Sequence, residues 1–159
     1  MSNQIMTKMV LNSWYSTIKR ADALFESMSD EEIIHEIVPE RNRGVYLLGH
    51  LAAVHDMMLP LLNLGELRFP ELSSSFIRTP DDVDNDKFTV EELRKFWKAA
   101  NANLAKQMDN LSPEEWLEKH TSVSEEDFVK EPHRNRLNVV ISRTNHLSYH
   151  LGQLVLLKK

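Results

Sequence analysis

Seven histidines occur in this 159-residue chain, and two of them, His146 and His150, stand four apart in a stretch whose apolar residues repeat at helical spacing. On a helix that offset stacks two imidazoles one turn apart on one face, so both can reach a single metal ion without bending the backbone. Seven histidines scattered at random would give about 0.3 such pairs, so the spacing alone carries little. The setting carries more: the pair is interleaved with Leu147 and Leu151 on a segment that reads as largely buried, where a neutral imidazole needs a partner for its ring nitrogen. A third ligand has to come from another element. His50, surrounded by Tyr46, Ala53, Val54 and Met57, is the candidate. His55, five residues on and about 140° around the same helix, does not share a metal with it. Each of these histidines also admits the plainer reading of a hydrogen-bonded core residue. His35, His120 and His133 lie in polar segments and are expected to be solvated.

Three neutral imidazoles with no thiolate or protein carboxylate leave a bound ion with positions open to water, the arrangement of catalytic rather than structural sites. Zinc is the first expectation, and nickel also accepts imidazole. Such an ion keeps its full charge, so a bound water loses a proton near pH 7 or a bound thiol is held as thiolate. The chain has no cysteine, which excludes a disulfide framework, a thiolate zinc site and a cysteine nucleophile together.

Four long helical patterns must position these residues. The first runs from Ile5 to Met28, with apolar positions at three-and-four spacing. Ser29-Asp30-Glu31-Glu32 then reads as a capped start for a short helical turn before Pro39. A second helix spans about Asn42 to Leu64 and is apolar on every side, with Pro60 kinking or ending it. Residues 65–87 hold Pro70, Pro80, three serines in a row and four aspartates, have no lasting periodicity, and read as a long crossover or a lid. Thr89-Val90-Glu91-Glu92 is a capping box for a third helix carrying Val90, Leu93, Trp97, Ala100, Leu104, Met108 and Leu111. Ser112-Pro113-Glu114-Glu115 begins another short helix, and His120 to Asn135 is expected to be loop. A fourth helix of about 22 residues, roughly 33 Å long, begins near Arg136. The expectation is an all-α four-helix bundle in one domain over residues 1–159. Met6, Met9, Trp14, Trp97 and Met108 are assigned to the core or a dimer interface.

Composition narrows the function. A net charge of −5 with pI near 5.8 lacks the basic footprint of nucleic-acid binding and is repelled by anionic membrane surfaces. The apolar run from Val45 to Leu64 carries His50, His55 and Asp56, which reads as a buried helix rather than a membrane span. The start of the chain lacks the pattern of a signal peptide, so a cytoplasmic location is expected. No glycine-rich phosphate loop and no GxSxG elbow occurs.

The stretch Asn145-His146-Leu147-Ser148-Tyr149-His150-Leu151-Gly152-Gln153 resembles the HxxxHxGQ signature in the last helix of the DinB/YfiT-like superfamily, and Leu47-Leu48-Gly49-His50-Leu51 resembles that family's second-helix histidine. The resemblance spans essentially the whole chain. It implies an up-down-down-up bundle with a long crossover after the second helix, zinc or nickel on His50, His146 and His150, and commonly a homodimer. Relatives of this kind include transferases of low-molecular-weight thiols such as bacillithiol, and thiol-dependent isomerases. The implied mechanism is a small thiol, held as thiolate by the metal, attacking a small electrophilic substrate lodged between the helices and residues 65–87. Gln153 and Tyr149 are candidates for hydrogen-bonding groups behind the ligands, against a plainer reading in which Gln153 packs and Tyr149 fills core. Arg143 is a candidate for holding a cofactor carboxylate, against a plainer reading as a surface arginine. Two alternatives stand beside thiol transfer: a hydrolase using metal-activated water, and a non-catalytic, stress-related metal-binding or interaction protein.

Overall fold

The computed structural model describes residues 2–82 and 87–158; part of the aspartate run in the expected crossover lies outside them. Helix α1 (Ser2–Ser27) is followed by the short α2 (Asp30–Ile33). Next come α3 (Gly44–Asp56), α4 (Met58–Leu61) and α5 (Pro70–Phe76). Then come α6 (Val90–Met108), α7 (Glu125–Lys130) and α8 (Arg136–Leu154), which ends in a 3-10 turn over Val155–Leu157. No strand forms among the described residues.

Side-chain pairings fix the directions of the four long helices. Tyr15 bonds Asp109 and Trp97 Nε1 donates to Asp22, so α1 and α6 run antiparallel. His55 bonds Asn101 while Val45 lies beside Leu93, so α3 and α6 run parallel. His50 meets His146, and Gly44 lies against Leu157, so α3 and α8 run antiparallel. The topology is therefore up-down-down-up. Two consecutive parallel helices require the chain to return the full length of the bundle between them, and the described parts of that return are residues 57–82 and 87–89.

The capping boxes read from sequence form as expected at both sites. Thr89 Oγ1 accepts from the Glu92 N–H at 3.2 Å while Glu92 Oε2 takes the Thr89 N–H at 2.8 Å, and Ser29 and Glu32 do the same. Buried side chains form two clusters. One, around Phe25, Leu47, Leu51, Phe76 and Leu147, lies at the end of the bundle where α3 begins; the other, around Trp14, Met58, Leu104, Trp116 and Val140, fills the opposite end.

Two sequence expectations need correction and two are narrowed. The second helix is interrupted at Pro60 as expected: α3 stops at Asp56 and α4 ends at Leu61, because Pro60 has no N–H for the Asp56 carbonyl and its ring crowds that carbonyl. Asn63, with φ of 58°, then closes a Schellman turn in which the Leu64 N–H reaches the Leu59 carbonyl at 2.8 Å. Within 65–87 the chain forms α5, with Pro70 at its first position. Two turns bearing only Leu72 and Phe76 are too short for a period to show. The segment from His120 to Asn135 contains α7, capped by Ser124, which buries no side chain and so has no apolar face to betray it. Of the residues assigned to the core or a dimer interface, Trp14, Trp97 and Met108 are buried in the core, while Met6 and Met9 are exposed and so not core.

The crossover is tied back to α3 at both ends. Asp56, 1% exposed, accepts the backbone N–H groups of Arg68 and Phe69 at 2.9–3.1 Å. Arg43, immediately before α3, meets Asp81 through its backbone N–H and its guanidinium at 2.6–3.2 Å. Between these ties α5 lies directly on Gly49, where an added Cβ would stand 2.5–2.6 Å from the Phe76 ring. Gly49→Ala is therefore expected to destabilise the protein by about 1–3 kcal/mol through overpacking, despite alanine's better helix propensity. Gly152→Ala, which meets nothing within 4 Å, is expected to be neutral or slightly stabilising. Chemical denaturation of both variants checks the contrast.

Candidate metal centre

The antiparallel pairing of α3 and α8 brings His50 opposite the His146–His150 face. The Nε2 atoms of His50 and His146 are 3.2 Å apart, and those of His150 and His146 are 3.1 Å apart. One ring nitrogen from each residue falls within 4.8 Å of the others, and all three side chains are half-buried. Imidazole nitrogens about 2.0–2.1 Å from a tetrahedral ion stand roughly 3.3 Å from one another, so the observed spacing is close to that of a ligand set.

Hydrogen bonds on the far side of two rings fix which nitrogen carries the proton. His50 Nδ1 lies 2.9 Å from the Phe76 carbonyl oxygen, which only accepts, so Nδ1 is the protonated nitrogen. His150 Nδ1 lies 2.7 Å from Gln153 Oε1 and donates likewise. Both Nε2 atoms therefore present lone pairs toward His146 Nε2. A proton on that atom satisfies one of them and leaves the other unmatched, whereas a cation among the three satisfies all. This is the observation that fits the residues to a metal ion. Burial, then the neighbouring histidines and Arg143, lowers the His146 pKa to about 4, and burial is also the main cause lowering that of His150. Both rings are thus neutral and ready as ligands near pH 7.

Around the cluster the structure sorts the remaining candidates. Tyr46 stacks on His50 with 6.3 Å between ring centroids, and its hydroxyl donates to the Thr79 carbonyl at 2.7 Å, pinning the segment that supplies the Phe76 oxygen. Gln153 does more than pack, since it orients His150. Tyr149 does not fill core: it is 64% exposed, with its ring 5.2 Å from that of His150 and its hydroxyl 3.5 Å from Gln153 Nε2. Arg143 is not a surface arginine. It is half-buried, its Nε is fully buried without an acceptor, and it makes no ion pair among the described residues. Burial lowers its pKa, and its field reaches both His146 and His55.

His55 belongs to the core. Its ring is fully buried between Trp14 and Trp97, 4.9 Å from each by ring centroid. Its Nδ1–H donates to Asn101 Oδ1 at 2.8 Å, while Asn101 Nδ2 donates to the Trp97 carbonyl. Asp56 is committed to the Arg68 and Phe69 N–H groups, and the His55 Nε2 atom, though without a partner, is sealed from solvent, so neither residue is placed to act as a base for hydrolysis. His35 and His133 are exposed as expected, but His120 is half-buried with its Nδ1 enclosed. The Phe76 carbonyl had no signature in the sequence, because a backbone oxygen is common to every residue.

Comparison with protein families matches residues 13–154 to the DinB superfamily. No curated protein sequence matches the chain.

Burial lowers the His55 pKa to about 3. Below pH 6.5 the unfolded state binds a proton that the folded state refuses, so stability is full above that pH and falls as pH drops from 6.5 toward 3. Between pH 6.5 and 5 the expected loss is about 2 kcal/mol from this residue. Urea titrations at several pH values should show that slope flattened in His55→Gln, measured relative to each protein at pH 7.

Proposed function

The chain belongs to the DinB superfamily, and from that premise we propose that it binds one divalent transition-metal ion, zinc or nickel, through His50, His146 and His150 and transfers a low-molecular-weight thiol of the bacillithiol type to a small electrophile. The convergence of three Nε2 lone pairs, two of them fixed by bonds to Phe76 and Gln153, carries the metal reading. A bound ion would supply a double positive charge that holds the thiol deprotonated near neutral pH, so that a carbon–sulfur bond forms as the bond from that carbon to its leaving group breaks. The thiol comes from outside, since the chain has no cysteine.

The protein's own residues supply orientation. The Phe76 carbonyl and Gln153 hold the His50 and His150 rings so that no rotation is needed to receive the ion. Tyr149 stands over His150 at the exposed edge. Arg143 offers a half-buried guanidinium with no acid partner among the described residues, and an unpaired buried charge is costly until an anion meets it. Its role in this reading is to hold a carboxylate of the thiol. Exposed Ile5, Met6 and Met9 on α1, with Ile141 on α8, give an apolar surface that supports a homodimer.

Elemental analysis of protein purified without a histidine tag is expected to find about one equivalent of zinc or nickel, and His146→Ala is expected to lose most of it while keeping its helical circular dichroism. The metal-loaded protein should consume a small thiol in the presence of an alkylating electrophile, and His146→Ala should not. Metal binding without thiol consumption sinks the transferase assignment; unfolding of His146→Ala shows instead that the histidine is structural. Met9→Asp should shift the protein toward monomer in sedimentation velocity.

A further inference from the structure

Beside the histidine cluster lies a cleft of about 630 Å³, within the range that accepts small organic ligands. One wall is the face of α8 that carries Tyr149, His150 and Gln153, so a ligand in the cleft touches a ring of the histidine cluster. The other wall is the loop between α2 and α3, through Ile37, Val38 and Arg41.

That loop is held in one shape. Glu36 and Arg43 pair as an isolated antiparallel bridge, the Ile37 N–H reaches the Asn42 carbonyl at 3.2 Å, and the Arg41 N–H reaches the Val38 carbonyl at 3.1 Å. Glu40 at its tip has φ of 65°, a left-handed conformation that costs a non-glycine residue energy and that its N–H bond to Glu36 Oε2 helps to hold. Arg43 anchors the loop's end to Asp81. The result presents three exposed apolar groups, Val38 at 47%, Leu156 at 66% and Tyr149 at 64%, around a guanidinium. Arg41 has no acid partner among the described residues, although Glu36 and Glu40 stand within five positions of it in sequence.

We propose that this cleft binds the electrophilic substrate, and that the substrate is an amphipathic anion: an apolar body lying on Val38, Tyr149 and Leu156, with a carboxylate or similar oxyanion held by Arg41. The assignment of the bound molecule as substrate rests on the histidine cluster being the reacting centre; the binding chemistry does not. A guanidinium on a preformed loop recognises an oxyanion through two parallel hydrogen bonds, while the apolar wall selects against small hydrophilic anions.

The test is made on metal-free protein with two fluorescent probes of similar shape, 8-anilinonaphthalene-1-sulfonate, which is anionic, and N-phenyl-1-naphthylamine, which lacks the sulfonate. Arg41→Met is expected to weaken the sulfonate about tenfold and leave the neutral probe unchanged, a loss typical of one charge-assisted contact. Val38→Asp should weaken both. Lys106→Met, in the last turn of α6 and outside the cleft, should change neither. Sulfonate binding that ignores Arg41→Met, that falls together with the neutral probe in that variant, or that depends on Lys106 instead overturns the proposal. The expected pattern in a protein that fails to take up zinc or nickel supports the cleft's chemistry and overturns only the metal reading.

Discussion

Two imidazole N–H groups point outward from the histidine cluster, one to the Phe76 carbonyl and one to Gln153, and this forces two lone pairs onto a third ring. Such an arrangement is unfavourable among neutral groups and favourable around a cation. Holding it requires that three separate pieces of chain be fixed against one another. Those pieces are α3, α8 and the end of α5, and most of the architecture can be traced to their placement.

The parallel run of α3 and α6 demands a long return path, and the molecule uses that path to deliver a ligand support. Asp56 captures the chain at Arg68 and Phe69, Pro70 starts α5, and Gly49 lets the Phe76 ring sit against the α3 backbone. Tyr46 and Arg43 then secure the segment beyond Phe76. A crossover that looked like a lid therefore acts as a strut, because its backbone supplies the acceptor that orients His50.

Neighbouring residues of similar chemistry have been given opposite tasks by their phase around α3. His50 faces α8 and the site, while His55, on another side of the same helix, is sealed between two tryptophans and kept neutral. Asp56 is next to it and wholly occupied by backbone N–H groups. Two arginines near the histidines, Arg143 within the bundle and Arg41 on the loop, have no acid partner among the described residues.

Much of this was legible in the sequence. The four long helices, both capping boxes and the start of α8 followed from periodicity and cap chemistry, because these are local rules. The pairing of His146 with His150 was a consequence of the helical repeat, and His50 could be placed on a buried helix by its neighbours. Short α5 and α7 escaped because two turns carry too few apolar positions to define a period. What only the tertiary structure decided was the assignment of partners. The Phe76 carbonyl behind His50, the exposure of Tyr149, the burial of Arg143 and the cleft under Arg41 all depend on residues distant in sequence meeting in space. Periodicity tells which way a side chain faces from its own helix; it does not tell what stands opposite.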